Sequence, residues 1–378
     1  MKAILYFGHH KVGSTALQSF LYQNQVALMR QGLLYPGVDF ESLSLTLARL
    51  LGELDISADQ AAEMLEAQTG PTPMNAREPH NALAFQMIAQ THKGKAPNWH
   101  PLLPGTGQMI RALRMQQRFL RPSTVVLCSE VMSNFGADHP ELIDRVREIY
   151  PEAEYSLYCV LRRPDEYLVS WHAQRLRFGN KLLPLNGGAL QTYIRGIHFD
   201  YRKVVEPWRD RFPGATLHLR NYTDVLKSGG SVEDFFAETG LEMPAGAIPA
   251  GRANESLPRA AMEIARRANQ DLPPREAQEM RQYLLTCDRH VTPVPNRDVE
   301  MFGAEIRADL AERFAPIHDW LSAEIGRPFF PDLDEMTRTL PVPEAEATAD
   351  LLARLPLSTL PNETLRSFIR TLAREQAA

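Results

Sequence analysis

Cysteine is scarce in this 378-residue sequence, which contains only Cys128, Cys159 and Cys287. None of the three has the spacing of a CxxC motif or of a metal-ligand set, and an odd, sparse number is a poor basis for a disulfide framework. We therefore interpret each as a small buried residue, because free cysteine is mostly core material. The scarcity favours a reducing compartment, and we predict a cytoplasmic location.

The sequence also lacks an excess of basic residues and any long apolar run. Its formal net charge of -5 argues against a nucleic-acid binder, which needs a broad basic surface to meet phosphates. No stretch approaches the roughly 18 apolar residues of a membrane span, and the apolar run at residues 3–7 is too short for a signal peptide. No acidic or His/Cys cluster has metal-ligand spacing, so we predict no metal and neither nucleic acid nor a membrane span.

Four short apolar runs predict fully buried parallel strands. They lie at residues 3–7, 124–128, 156–161 and 216–219. Each is followed by polar or Gly/Pro residues and then by a helical pattern. Strand followed by helix, repeated along the chain, predicts an α/β fold with a parallel β-sheet flanked by helices.

The segment 41–120 contains no convincing strand, and we interpret it as a helical insertion after the first βα unit. It has helical patches at 58–67 and 81–90 and then a Pro/Gly-rich stretch at 93–107. Further helical patterns cover 258–286 and 304–325, and a last helix is expected from Asn362 onward. We predict one domain over residues 1–335, in which the insertion contributes to a substrate cleft, and a helical C-terminal tail over 336–378.

The strongest local signal is the octapeptide Gly8-His9-His10-Lys11-Val12-Gly13-Ser14-Thr15, between the first strand and a helix start. A strand, a glycine-containing loop and a helix N-terminus form an anion site, because backbone N–H groups and the helix dipole favour negative charge. The loop fits the P-loop pattern G-x-x-x-x-G-K-[ST] at Gly8, Gly13 and Thr15. Ser14 occupies the lysine position, and the lysine has moved to position 11.

A second candidate phosphate site follows the strand at 156–161. Pro164 is well placed to open a helix, with Arg162 at the strand end and Ser170 about two turns along. An arginine and a hydroxyl that converge there would bind a phosphate by charge-assisted hydrogen bonds. The neighbouring Arg163 is either part of this site or a salt-bridging surface residue.

These two motifs, in this order, resemble those of the sulfotransferases that use 3′-phosphoadenosine 5′-phosphosulfate (PAPS), in a bacterial-type, P-loop-like three-layer fold. The resemblance implies that the 5′-phosphosulfate is held by Lys11, Gly13, Ser14 and Thr15. It further implies that Arg162 and Ser170 hold the 3′-phosphate. The loop at 252–257 resembles one in bacterial relatives whose arginine, here Arg252, could reach the 3′-phosphate, although the family's Arg-Lys-Gly loop is absent.

Sulfuryl transfer also needs a base for the acceptor's proton and a positive group at the leaving oxygen. Lys11 suits the second role. Glu130 is the leading candidate for the base, because it follows the strand at 124–128, although many family members have a histidine at this strand end. Its pKa could be raised by burial or lowered by Lys11. The competing bases are His10 and His9 in the loop and His80 in the insertion.

We therefore predict a sulfotransferase that moves the sulfuryl group of PAPS to a hydroxyl or amine of an acceptor by in-line displacement. The acceptor could be a sugar, a lipid-linked glycan or a small alcohol. One alternative is a P-loop kinase or NTPase, which Ser14 in the lysine position and the lack of an obvious Walker-B aspartate disfavour. The other is a non-catalytic nucleotide-binding module.

Overall fold

The computed structural model describes residues 1–53, 73–250, 256–286, 291 and 294–377. At least one helix lies between each pair of successive strands in this part of the chain. The strands are β1 (Lys2–Tyr6), β2 (Leu33–Leu34), β3 (Thr124–Cys128), β4 (Glu154–Leu161), β5 (Thr216–Asn221), β6 (Val299–Glu300) and β7 (Val342–Pro343).

The helices up to β5 are α1 (Ser14–Gln23), α2 (Gln25–Arg30), α3 (Phe40–Glu53), α4 (Met74–Arg77), α5 (Pro79–Thr91), α6 (Thr106–Leu120), α7 (Phe135–Asp138), α8 (Pro140–Arg147), α9 (Pro164–Arg177), α10 (Leu190–Tyr193) and α11 (Arg202–Arg211). After β5 come α12 (Tyr222–Lys227), α13 (Ser231–Thr239), α14 (Met262–Asp271), α15 (Pro274–Thr286), α16 (Ala304–Ile325), α17 (Glu344–Arg354) and α18 (Glu363–Ala377).

Five of the strands form a parallel sheet in the order β2-β3-β1-β4-β5. The first strand lies at its centre, and Tyr6 is opposite Cys128 on one side and Tyr158 on the other. The α/β fold with a parallel sheet flanked by helices is therefore confirmed, and so are all four predicted strands. The sequence did not reveal β2, because two residues are too few to show a strand pattern.

The predicted helical character of the insertion is confirmed where the structure describes it. The patch at 81–90 lies within α5, and the Pro/Gly-rich stretch ends at the start of α6. The patch at 58–67 lies outside the described residues. Within the described parts of 41–120, residues 41–53 and 73–120, no strand is present.

The helices predicted towards the C-terminus are also present. The pattern at 304–325 is α16, and the last helix runs over Glu363–Ala377. The predicted tail contains in addition the short strand β7, which pairs in parallel with β6. Among the described helices, none is both long and apolar enough to cross a membrane.

The chain divides into two compact units. The first consists of residues 1–162 and 201–253 and contains the five-stranded sheet. Its core includes buried residues of β1, α1 and α13, among them Ile4, Leu17 and Phe235. The second consists of residues 163–200 and 254–378. The division into a domain over 1–335 and a tail over 336–378 stays a prediction.

The described cysteines are core residues, as predicted. Cys128 and Cys159 are fully buried free thiols. Burial raises the pKa of both thiols, so both are protonated at neutral pH. Cys287 lies outside the described residues.

Candidate functional site: a glycine-containing loop beside a buried carboxyl pair

The loop between β1 and α1 packs closely against the backbone of the neighbouring strand β4. A Cβ on Gly8 would lie 2.7 Å from the backbone nitrogen of Val160, and the His9 N–H donates to the Val160 carbonyl at 3.0 Å. At the other end of the loop Gly13 has a φ of 89°, and its carbonyl accepts from the Ser231 hydroxyl at 2.9 Å. A Cβ on Gly13 would lie 2.8 Å from that side chain, so both glycines are required by close approach.

The loop presents a cation and a helix N-terminus together. Lys11 has a φ of 62° in the left-handed region, which costs a non-glycine residue about 1 kcal/mol. Such strained residues concentrate at functional sites. The helix α1 begins at Ser14 and is capped by the Gly13 carbonyl, which accepts from the N–H of Ala16 at 3.1 Å. The N–H groups of a helix's first turn and its dipole attract anions, so this loop fits a phosphate or phosphosulfate.

Glu130 lies beside this loop, as its predicted role requires. It follows β3, which is a neighbour of β1, and starts a 3₁₀ turn over Glu130–Asn134. Its Oε2 accepts from Nε2 of Gln18 at 3.1 Å, and the Ser14 hydroxyl also hydrogen-bonds its carboxylate. Both partners belong to α1, so hydrogen bonds connect the carboxylate to the helix whose N-terminus is the candidate anion site.

The insertion supplies the second set of partners, which the sequence analysis missed. Asn81 Nδ2 donates to Glu130 Oε1 at 3.1 Å and to Glu78 Oε2 at 3.0 Å. The Asn81 Oδ1 accepts from the Ser129 hydroxyl at 2.7 Å, which fixes the orientation of the amide. Arg77 completes the set with an ion pair to Glu78 at 2.8 Å. In the sequence, the only sign of these partners is Glu78 directly before Pro79, and an acidic residue is common at the start of a helix.

The two carboxyl groups are shifted in the same direction. Burial raises the pKa of Glu130, although hydrogen bonds from Asn81, Ser14 and Gln18 lower it in part. Burial and the neighbouring charge of Glu130 raise the pKa of Glu78, and Arg77 opposes this. The sequence left open whether the pKa of Glu130 is raised by burial or lowered by Lys11, and in the structure burial dominates and the pKa is raised.

The histidines of the loop are less well suited to accept a proton. His10 is partly buried, and burial followed by the charge of Lys11 lowers its pKa to about 4. An imidazole with that pKa is uncharged at neutral pH and is a weak base. His9 is fully buried, and its ring contacts the ring of Tyr201 edge-on at 4.4 Å.

His80 is a structural residue of the first unit. Its ring is fully buried, and its Nδ1 accepts from the backbone N–H of Cys128 at 3.1 Å. Burial lowers its pKa to about 3, so the ring is neutral at physiological pH. It packs edge-on against Tyr35, with ring centroids 4.8 Å apart. These contacts fasten the insertion helix α5 to the end of β3.

Arg162 lies in the first unit, directly after β4. Its carbonyl accepts from the Tyr201 hydroxyl at 2.6 Å, and its guanidinium lies 5.3 Å from the centre of the Tyr222 ring. These contacts hold the arginine at the carboxyl end of the sheet, where α/β folds bind ligands.

The remaining predicted residues lie in the second unit or outside the described residues. Ser170 lies on α9 in the second unit, and that helix begins at Pro164, as predicted. Arg163 is salt-bridged to Asp165 at 2.8 Å and to Asp332 at 2.7 Å, and its side chain is only 11% exposed. The salt-bridge interpretation is therefore confirmed, but the expectation that it is a surface residue is wrong, because two carboxylates compensate its burial. Arg252 lies outside the described residues.

Within the described ranges, no group of three or more His, Cys, Asp and Glu side chains could hold a metal ion.

Comparisons with known proteins returned few matches. No protein-family model matches the chain. An uncharacterized protein of Archaeoglobus fulgidus is 28% identical over 171 residues, which cover 44% of this chain and 45% of that protein, so the match spans less than half of that relative. Among solved structures, a sulfotransferase from Alicyclobacillus acidocaldarius is similar with a TM-score of 0.39 and 16% identity, over 89% of this chain and 98% of that one. Because the TM-score is low, this likeness assigns no function to the chain.

Proposed function

We propose that the chain is a sulfotransferase that moves the sulfuryl group of PAPS to a hydroxyl or amine of an acceptor. The observation that carries this proposal is the direct connection between the anion-binding loop and Glu130. Both Ser14 and Gln18 of α1 hydrogen-bond the Glu130 carboxylate. A group held at the loop would therefore lie beside a carboxyl group that can accept a proton.

The loop is proposed to hold the 5′-phosphosulfate. The N-terminal N–H groups of α1, at Ser14 and Thr15, would meet the anionic oxygens, and Gly13 allows the close approach of the backbone. Lys11 would stabilise the charge that develops on the phosphate oxygen as the sulfuryl group leaves. Arg162, held over Tyr222, would bind the 3′-phosphate, and Ser170 has the same role by its position in the sequence motif.

The proposed reaction transfers one group and one proton. The acceptor oxygen or nitrogen forms a bond to sulfur while the bond between sulfur and the phosphate oxygen breaks, and 3′-phosphoadenosine 5′-phosphate (PAP) leaves with the bonding electrons. Glu130 takes the proton that the acceptor loses. A carboxylate whose pKa is raised by burial is a stronger base than an exposed one, which suits this task. We also propose that the enzyme works in the cytoplasm, which the buried free thiols Cys128 and Cys159 support.

The kinase or NTPase alternative is less well supported. In a P-loop NTPase a lysine after the second loop glycine reaches the β- and γ-phosphates. Here that position is Ser14, whose hydroxyl is engaged by Glu130.

Nucleotide binding and turnover separate the three candidate functions. Thermal unfolding should be measured without Mg²⁺ in the presence of PAP, adenosine 5′-phosphate or ATP. A larger shift with PAP than with the other two is expected, because at equal concentration the ligand that binds the folded state more tightly stabilises it more. A preference for Mg²⁺-ATP would refute the proposal in favour of an NTPase. PAP binding with no transfer from labelled PAPS to sugars, lipid-linked glycans, small alcohols or amines would favour a non-catalytic module.

A further inference from the structure

We propose that Glu78 is a positioning residue that acts through Asn81 on Glu130, where it orients the carboxylate and strengthens it as a proton acceptor. This inference rests on the proposed function, in which Glu130 is the base. It assigns a role to the insertion, which contributes Arg77, Glu78 and Asn81 from the adjacent ends of α4 and α5.

The geometry carries the proposal. One amide nitrogen, Nδ2 of Asn81, donates to Oε2 of Glu78 at 3.0 Å and to Oε1 of Glu130 at 3.1 Å. The two carboxylate oxygens are therefore no more than about 6 Å apart, a distance at which like charges disfavour each other's ionised form. Rotation of the Asn81 side chain would break a further hydrogen bond, because its Oδ1 accepts from the Ser129 hydroxyl at 2.7 Å.

The ion pair with Arg77 favours the ionised form of Glu78. Arg77 forms its ion pair with Glu78 at 2.8 Å, and its charge lowers the pKa of Glu78 against the effects of burial and Glu130. Since Glu78 is held as a carboxylate by Arg77, its charge makes the loss of the proton from Glu130 less favourable. Glu130 is then a stronger base than the same carboxyl group would be alone.

Four other titratable groups that face the pair are uncharged at neutral pH. Burial raises the pKa of Tyr6, Tyr35 and Cys128, which all face the carboxyl groups. Burial lowers the pKa of His100, which faces Glu78 from the loop after α5. Arg77 is therefore the cation that favours the ionised form of Glu78, and its replacement by lysine is the matched control for the removal of Glu78.

The test compares Glu78→Gln with the charge-keeping control Arg77→Lys in the PAP-bound protein. Carboxyl-¹³C glutamate labelling follows the titration of Glu130 by NMR, and its signal is assigned from its absence in Glu130→Gln. In Glu78→Gln, the Glu130 titration should move down by about one pH unit, since the like charge is removed but the amide oxygen can still accept from Asn81. In Arg77→Lys it should stay in place, because the lysine keeps a positive charge beside Glu78.

Kinetics supply the second measurement. The acidic limb of the kcat profile should move with the NMR titration in each variant, and the plateau kcat of Glu78→Gln should fall by about threefold because the base is weaker. KM for PAPS should stay unchanged. A purely structural role for Glu78 would not move the titration of Glu130 and the acidic limb together.

Each outcome has one meaning. A Glu130 titration unchanged in Glu78→Gln, or shifted as far in Arg77→Lys as in Glu78→Gln, overturns the proposal. If Glu78→Gln does not fold, Glu78→Ala takes its place and the same two results decide. A downward NMR shift confined to the Glu78 variant, in a protein that transfers no sulfuryl group to any acceptor, would refute the proposed function but establish the coupling of the two carboxyl groups.

Discussion

Replacement of Glu130 by glutamine is the most direct test of the proposed chemistry. The substitution keeps the length of the side chain but removes its ability to accept a proton. Loss of a general base lowers turnover by about 10²–10⁴-fold. That loss corresponds to about 3–5 kcal/mol of transition-state stabilisation, since each factor of ten is about 1.4 kcal/mol. The affinity for PAP should stay within about twofold, because the loop contacts are backbone and Lys11 contacts.

The surrounding hydrogen bonds predict that Glu130→Gln will fold. The new amide oxygen can accept from Asn81, whose orientation Ser129 fixes. The new NH₂ group would face Nε2 of Gln18, which is also a donor. The Gln18 amide can rotate by half a turn to present its Oε1, which is buried without a hydrogen-bond partner. This rotation would break the hydrogen bond from Gln18 Nε2 to the Cys128 carbonyl. The net cost is about one hydrogen bond, or about 1 kcal/mol.

The pH dependence gives a second readout with a defined sign. Burial raises the pKa of Glu130 in the folded protein, so the folded state holds this proton more tightly than the unfolded state. The associated stability is fully present below the unfolded pKa, near 4.3, and is lost as pH rises through the folded pKa. Relative to wild type, the melting temperature of Glu130→Gln should therefore improve as the pH is raised.

Turnover is measured with labelled PAPS, and folding and binding are measured by thermal unfolding with and without PAP. Turnover of Glu130→Gln within tenfold of wild type would refute the assignment of Glu130 as the base. In that case, inactivity of His10→Ala with PAP binding intact would move the role to the histidine. Loss of PAP binding in Glu130→Gln would instead mean that the carboxylate supports the loop.

Three further predictions concern the anion sites. Lys11→Ala should lower kcat by about 10²-fold or more, with a smaller loss of PAP affinity. Lys11→Gly should be equally inactive but about 1 kcal/mol more stable than the alanine variant, because the φ of residue 11 is 62°. Equal melting temperatures of the two variants would contradict the strain argument. Gly13→Ala should destabilise the fold by about 1–3 kcal/mol in chemical denaturation, because the φ of Gly13 is 89° and an added Cβ would meet Ser231. Gly107→Ala is the matched control, since a Cβ at Gly107 meets nothing within 4 Å. Arg162→Ala should abolish the preference for PAP over adenosine 5′-phosphate in thermal shifts, and a preserved preference would remove the arginine from the 3′-phosphate site.

Much of the fold could be predicted because its signals are local. Strands covered on both faces need continuous apolar runs, so β1 and β3 to β5 were visible as such runs. The loop between β1 and α1 was visible because its glycines satisfy backbone requirements that other residues do not. Glu130 was identified by the same logic, since the carboxyl ends of parallel strands lie along one edge of the sheet.

The partners of Glu130 depend on the tertiary structure alone. Asn81 reaches Glu130 across 49 residues of sequence, and no period or spacing marks that pair. The same holds for His80, which is buried and accepts from the backbone of β3, and for Arg163, which is enclosed by two carboxylates. Burial and charge at a titratable group are properties of the packed chain, because they depend on which elements cover it. The sequence by itself therefore determined the sheet, the anion loop and the candidate base, whereas the packing of the insertion decided the protonation behaviour of that base.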